Sequence, residues 1–186
     1  MEPRELLDAL CIAQRLKDTM RHCYTEKGRH ESVAEHCFMM TLMAFYLRDV
    51  FPDTDMGKVM EMCVIHDLGE AFTGDIPAFV KTDAHEAEES ALRDDWIASL
   101  PEPVCTRMSS LYAEMDALET PEAKLYKALD GLEAVIAHNH SDLSTWLALE
   151  YELNRTYADD KVAFSSYLTA LRAEVRLDTE EKLRKT

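Results

Sequence analysis

Residues 56–69 read MGKVMEMCVIHDLG, and this stretch predicts a buried helix that carries a polar pair near its end. Apolar residues recur at spacings of three and four, the pattern of one inward helical face; they are Val59, Met60, Cys63 and Val64. We expect the helix to begin after Asp55 and to end near Gly69. The pair His66-Asp67 lies among apolar neighbours, where an ionisable side chain needs a partner.

Further helices are predicted on both sides of this stretch. Ser32 and Glu35 form a capping-box pattern, so a helix should run from there to about Phe51, before a proline. Thr120-Pro121 combines an N-cap residue with proline at the first helical position, and the helix that follows contains Asp130. A first helix is predicted to bury one face, formed by Leu6, Leu7, Leu10, Ala13 and Leu16.

The remaining pattern predicts an all-α fold of about seven to eight helices in a single domain, residues 1–186. Further helices are expected after Asp83 and around 104–118, 143–157 and 162–177, and the charged tail EEKLRKT is expected to fray. The segment 73–77 is predicted to be a loop. No run alternates for long enough to indicate a strand, and the chain has only 5 glycines and 6 prolines.

Composition excludes several classes of partner. With 36 acidic and 20 basic residues the formal charge is −16, which repels long nucleic acids. There is no signal-peptide pattern and no apolar run long enough to cross a membrane. The 5 cysteines form no CxxC pair, which is typical of reduced thiols, so we expect a cytoplasmic protein.

Four polar residues on three predicted helices are candidates for a metal site: His36, His66, Asp67 and Asp130. Two imidazoles and two carboxylates that face one another in a helical bundle would hold one divalent transition metal, of the group Mn, Fe, Co, Ni and Zn. The spacing also allows ordinary capping or core hydrogen bonds. No HExxH motif is present, which excludes a zinc protease of that type.

In order and spacing these residues resemble the HD-domain phosphohydrolases, an all-helical superfamily. The segments RHESVAEH (29–36), HDLGEAFTGDIP (66–77) and KALD (127–130) are similar to the branch that contains bacterial 5'-deoxynucleotidases and their oxetanocin-like relatives. The resemblance covers about residues 5–155, and a C-terminal helix is expected at about 160–180.

The resemblance implies a role for each matched residue. His36, His66, Asp67 and Asp130 would be the metal ligands. Glu70 would orient or deprotonate the attacking water, and Asp75 would assist proton transfer to the departing sugar oxygen, although Thr73-Gly74-Asp75 could simply form a turn. Arg21 aligns with the phosphate-binding arginine. Lys81 is a second candidate for anion contact, with ordinary solvation as its alternative.

His22 departs from this branch, which places a tryptophan directly after the arginine to disfavour a ribose 2'-hydroxyl. Because histidine is smaller and can hydrogen-bond a hydroxyl, a ribonucleotide, a modified nucleotide or another small phosphomonoester could be accepted. His138 and His140 are predicted to be a polar helix end, where imidazolium suits the helix dipole.

The expected function is removal of the 5'-phosphate from nucleoside monophosphates by a metal-dependent phosphohydrolase, with deoxynucleotides among the substrates. One alternative is hydrolysis of another small phosphate or a nucleoside triphosphate. Another is a non-catalytic sensor that binds nucleotide or metal. The resemblance also implies a homodimer, for which the sequence assigns no interface.

Overall fold

Within residues 1–185, which the computed structural model describes, eight helices have seven or more residues. The elements in chain order are α1 (Pro3–Ala13), β1 (Met20–Tyr24), β2 (His30–Ser32), α2 (Val33–Tyr46), α3 (Met56–Ile65), α4 (Glu70–Thr73), α5 (Asp83–Ala98), α6 (Val104–Ala117), α7 (Pro121–His140), α8 (Glu150–Thr156), α9 (Asp159–Val162) and α10 (Ser166–Arg184). Two short 3-10 segments lie at Gln14–Lys17 and Leu143–Thr145. No helix among the described residues is both long and apolar enough to cross a membrane.

The core lies where α2, α3 and α7 pack against one another. Fully buried apolar side chains from all three helices meet there, among them Met40, Val59, Met62, Leu125 and Leu129. Burial of one such side chain contributes about 1.5–3 kcal/mol. Because the three helices share this core, the polar residues at one end of it are brought together.

The capping-box prediction for α2 is confirmed. The Ser32 hydroxyl accepts a hydrogen bond from the Glu35 amide, and the Glu35 carboxylate accepts one from the Ser32 amide. The helix ends earlier than predicted, at Tyr46, because the chain continues in tight turns in which Val50 and Phe51 donate to the Leu47 carbonyl. The cap places His36 in the first turns of the helix.

A short hairpin corrects the prediction that no strand is present. β1 and β2 pair antiparallel, with Met20 opposite Ser32 and Tyr24 opposite His30. Gly28 adopts a φ of 77° in the connecting turn, a conformation that favours glycine. Strands of five and three residues are too short to show alternation in the sequence. The hairpin fixes Arg21 and His22 beside the helical core.

The prediction for the first helix is also wrong. Leu6, Leu7 and Leu10 are 47%, 52% and 45% exposed, and of the predicted face only Leu16 is fully buried. Periodicity shows that one face is apolar, but it does not show what covers that face. Val64, predicted to face inward from α3, is likewise exposed.

Two further helix ends differ from the prediction. α3 ends at Ile65, after which hydrogen-bonded turns lead into α4. At the other end of the chain, α10 remains helical to Arg184, where fraying was expected. Thr179 is fully buried, and Glu180 pairs with Arg155 at 2.8 Å, so the last turns of α10 are held against the domain.

Candidate metal centre and pocket

The structure brings the four predicted metal ligands together. His36 is fully buried on α2, and its Nε2 lies 3.4 Å from Asp130 Oδ1 on α7 and 3.8 Å from Asp67 Oδ2. His66 Nε2 lies 3.0 Å from the same Asp67 oxygen. We refer to these four side chains as the metal centre.

Hydrogen bonds on the far side of each ring orient the two imidazoles. His66 Nδ1 lies 3.0 Å from the Cys63 carbonyl oxygen, which can only accept, so Nδ1 carries the proton. His36 Nδ1 lies 2.5 Å from a carboxylate oxygen of Glu133 and is oriented in the same way. Both Nε2 atoms are buried and make no hydrogen bond within the described residues. Metal-binding histidines are held in this manner by outer partners.

This donor set fits a divalent transition ion. Two Nε2 lone pairs and two carboxylates are ligands that such ions prefer. Burial alone would raise the pKa of Asp67, but the neighbouring His66 lowers it below its usual range, so the carboxylate is ionised. Burial, followed by the nearby charges of Asp67 and Asp75, raises the pKa of Glu70 to about 10. A divalent cation beside these carboxylates would oppose that upward shift.

A cavity of about 380 Å³ opens beside the metal centre. Asp67 and Asp130 form part of its wall, whereas His36 and His66 lie behind it. All the other residues predicted for the site also line this cavity: Arg21, His22, Glu70, Asp75 and Lys81. The structure therefore brings every predicted site residue to one place.

Two of these residues supply positive charge. The Nε of Arg21 lies 3.3 Å from a Glu31 oxygen, and the side chain lines the cavity. Burial alone would lower the pKa of Arg21, but Glu133 and other nearby acidic groups raise it, so the guanidinium keeps its charge. Lys81 pairs with Glu89 at 2.7 Å, so its charge is already partly engaged.

Two residues at the metal centre were missed by sequence reasoning. Glu133, which is buried, bonds the His36 ring, and Lys127 Nζ lies 2.9 Å from Asp130 Oδ2. Both are three residues from Asp130 along α7 and therefore lie on its face of the helix. That spacing was the available signal, but it does not identify His36 as the partner of Glu133.

His138 and His140 both lie in the last turn of α7, as predicted, and His140 is exposed. The His138 ring lines the cavity, with its Nε2 2.9 Å from Glu150 Oε1. His22 Nε2 lies 2.8 Å from the same oxygen. Burial alone would raise the pKa of Glu150, but its close contact with His138, the hydrogen bond from the Leu147 amide and the neighbouring His22 lower it to about 2.

Comparison with known proteins gives a consistent family match. The model of the HD domain family matches residues 13–172. The human 5'-deoxynucleotidase HDDC2 is 32% identical over 146 residues, which cover 75% of this chain and 70% of that protein. The zebrafish (Danio rerio) 5'-deoxynucleotidase HDDC2 is 33% identical over 124 residues, and the match spans 64% of this chain but only 60% of that relative's length.

Solved structures resemble the whole fold. A crystal structure described as a predicted metal-dependent phosphohydrolase from Magnetospirillum magnetotacticum MS-1 matches with a TM-score of 0.78 at 25% identity, covering 97% of this chain and 95% of the other. The cyanophage S-2L HD phosphohydrolase DatZ, bound to dA and one catalytic Zn²⁺, matches with a TM-score of 0.57 at 21% identity. That match covers 100% of this chain and 98% of DatZ, and it supports the fold.

Replacing Glu133 tests the orientation of His36. We expect Glu133→Gln to weaken Zn²⁺ binding by about 10- to 100-fold, because the carboxylate that fixes the tautomer of His36 is lost. Competition with a chromophoric chelator measures the dissociation constant. Glu152→Gln, at an exposed position on α8, is the control and should bind as the unmodified protein does. Equal affinities in the two variants would contradict the assigned role of Glu133.

Proposed function

The chain belongs to the HD domain family, and from this premise we propose that it is a metal-dependent phosphohydrolase that removes the 5'-phosphate from nucleoside monophosphates. One observation carries the proposal. Two buried imidazoles with unbonded Nε2 atoms face Asp67 and Asp130 at the wall of a cavity that also contains Arg21. The match to relatives named 5'-deoxynucleotidase supports nucleotides as the substrate class.

The metal centre is proposed to hold one divalent ion of the group Mn, Fe, Co, Ni and Zn. When bound there, the ion would supply Lewis-acid chemistry to the phosphate and make water a better nucleophile. His36 and His66 provide the nitrogen donors, and Asp67 and Asp130 provide the oxygen donors. The cavity beside them leaves room for the phosphate and water.

The protein groups have separate roles in the displacement at phosphorus. Arg21 holds phosphate oxygens through its terminal nitrogens. Glu70 takes a proton as the water oxygen bonds to phosphorus, and Asp75 gives a proton to the sugar oxygen as its bond to phosphorus breaks. Burial raises the pKa of Asp75, which suits a proton donor. Lys81 is proposed to balance charge at the cavity mouth.

The charge and the cysteines of the chain support proposals about its partners and its location. A formal charge of −16 disfavours long nucleic acids, whereas Arg21 and Lys81 give one cavity a local positive charge for a single nucleotide. All five cysteines are free thiols in the structure. We propose a cytoplasmic location, where thiols stay reduced, and no membrane partner.

Two substitutions separate metal binding from proton transfer. Asp67→Asn should lose the metal and all detectable activity, because a charged ligand becomes neutral. Glu70→Gln should retain the metal but lower kcat by about 10²- to 10⁴-fold, the range for general-base loss. Elemental analysis and released phosphate measure the two effects. Glu88→Gln, exposed on α5, is the control. Activity in a metal-free Asp67→Asn protein would refute the mechanism.

Selectivity for the sugar is tested with deoxy- and ribonucleoside monophosphates that carry the same base. Deoxy- and ribonucleoside monophosphates should be hydrolysed with kcat/KM values within about tenfold, because the His22 ring is smaller than tryptophan and leaves room for a 2'-hydroxyl. His22→Trp should favour the deoxy series, since the larger ring fills this space. A deoxy preference above about 100-fold in the unmodified protein would contradict the role of His22.

The same assay distinguishes the alternative functions. Release of tripolyphosphate from a nucleoside triphosphate would identify a triphosphatase. Rapid hydrolysis of unrelated phosphomonoesters would indicate a broader phosphatase. Tight nucleotide binding without phosphate release, in protein loaded with each candidate metal, would identify a sensor and exclude the enzyme.

We also propose a homodimer formed through α2. Phe38, Phe45 and Tyr46 are 64%, 53% and 72% exposed, and the first two are seven residues apart on one side of the helix. Exposed aromatic side chains are enriched at protein interfaces. Light scattering should give about twice the 21.3 kDa mass of one chain. Phe45→Glu should yield monomers, whereas Leu177→Glu on α10 should not; a monomeric unmodified protein would contradict this proposal.

A further inference from the structure

A second group of metal-binding side chains lies in the same cavity, away from the metal centre. It consists of His22 on β1, His138 on α7 and Glu150 on α8, and we call it the distal cluster. His22 Nε2 and His138 Nε2 lie 2.8 Å and 2.9 Å from Glu150 Oε1. These residues are distant in sequence, so the fold itself assembles the distal cluster.

The environment of His138 repeats that of His66 in the metal centre. His138 Nδ1 lies 2.9 Å from the Ala134 carbonyl oxygen and therefore carries the proton, as His66 Nδ1 does against Cys63. In the neutral ring, Nε2 then presents a lone pair toward a carboxylate oxygen. This Nε2 is buried and makes no hydrogen bond within the described residues. A cation placed between the two donors would remove their repulsion.

Outer contacts hold the distal cluster in place. The second oxygen of Glu150 accepts a hydrogen bond from the Leu147 amide at 2.6 Å, and Glu150 is buried. Trp146 packs perpendicular to the His138 ring at 5.8 Å, and its indole N–H donates to the His138 carbonyl. Phe79 packs perpendicular to the His22 ring at 5.5 Å. Such support is typical of preorganised metal sites.

We propose that the distal cluster binds a second divalent transition ion, of the zinc class, through two imidazoles and one carboxylate. Zinc binds to two histidines and one glutamate in sites that leave its fourth coordination position open. Magnesium and calcium prefer oxygen ligands alone. Tetrahedral ligands at about 2.0–2.1 Å from zinc are roughly 3.3 Å apart. In the distal cluster each nitrogen lies within 2.9 Å of the Glu150 oxygen, and all three donor atoms lie within 4.8 Å of one another.

The two sites are separated along α7. Asp130 and His138 are eight residues apart on α7, which corresponds to about 12 Å along the helix axis. Paired catalytic metals are about 3.5–4 Å apart, so the distal ion does not bridge the same phosphate oxygens. If the proposed function holds, the open position faces the nucleoside portion of the substrate. Binding of the ion itself does not depend on that function.

Metal stoichiometry tests the inference on the full chain. After dialysis against a chelator, the nucleotide-free protein is titrated with Zn²⁺ and the bound metal is counted by elemental analysis. The unmodified protein should bind two ions. His138→Gln should bind one ion, at the metal centre. Asp67→Asn should also bind one ion, at the distal cluster. His140→Gln, two residues beyond His138 and exposed, is the matched control and should bind two.

Two further measurements locate the second ion. Co²⁺ added to Asp67→Asn should give the intense visible absorption of a four-coordinate site, and additional replacement of His138 should abolish it. His22→Ala, at a partly exposed hairpin position, should weaken the second Zn²⁺ by more than about 100-fold, beyond the range for losing an outer partner. Circular dichroism establishes that each variant is folded.

Each result has a definite meaning. One ion per unmodified chain, or two ions retained by folded His138→Gln, would overturn the distal site whatever the enzyme hydrolyses. Two ions in a protein that releases no phosphate would support the distal site and reject the proposed function. Metal counting therefore tests the distal site, and phosphate release tests the proposed function, so that one proposal can be rejected without the other.

Discussion

The buried contact between His36 and Glu133 is the interaction on which the site depends. It joins α2 to α7 at the end of their shared apolar core, where an unpaired imidazole or carboxylate would be costly. The same contact directs His36 Nε2 toward Asp67 and Asp130. Packing and chemistry are therefore coupled, because the hydrogen bond that satisfies the buried His36 ring also directs its metal-binding nitrogen toward the two carboxylates.

Short sequence signals predict the helices that carry the metal centre. The capping box at Ser32 and Glu35 positions His36 by helix geometry alone, and proline after Thr120 does the same for Asp130. The adjacent pair His66-Asp67 follows an apolar helix that had to be buried. Once three helices share one core, residues at corresponding ends meet, so short-range information predicts that the four side chains come together; their interpretation as metal ligands rests on the family resemblance.

The distal cluster, the hairpin and the exposure of α1 depend on long-range contacts that no local sequence pattern specifies. Glu150 and His22 are 128 residues apart, and only the folded chain shows that they share a cavity. The hairpin forms through backbone pairing, which leaves almost no trace in three- and five-residue strands. The exposure of α1 has a similar origin, since its periodicity records an apolar face without recording a neighbour.

A close approach at Gly131 helps to fix the position of Glu150 relative to α7. A Cβ on Gly131, next to Asp130, would lie 2.7 Å from the Ala158 side chain, so only glycine lets the turn between α8 and α9 approach α7 this closely. Ala158 itself adopts a φ of 67°, a strained value for a non-glycine residue. This approach holds α8, and with it Glu150, against the helix that carries Asp130 and His138. The part of the wall that carries Glu150 is therefore positioned by contact between a glycine and the short Ala158 side chain, which is more rigid than contact between long side chains.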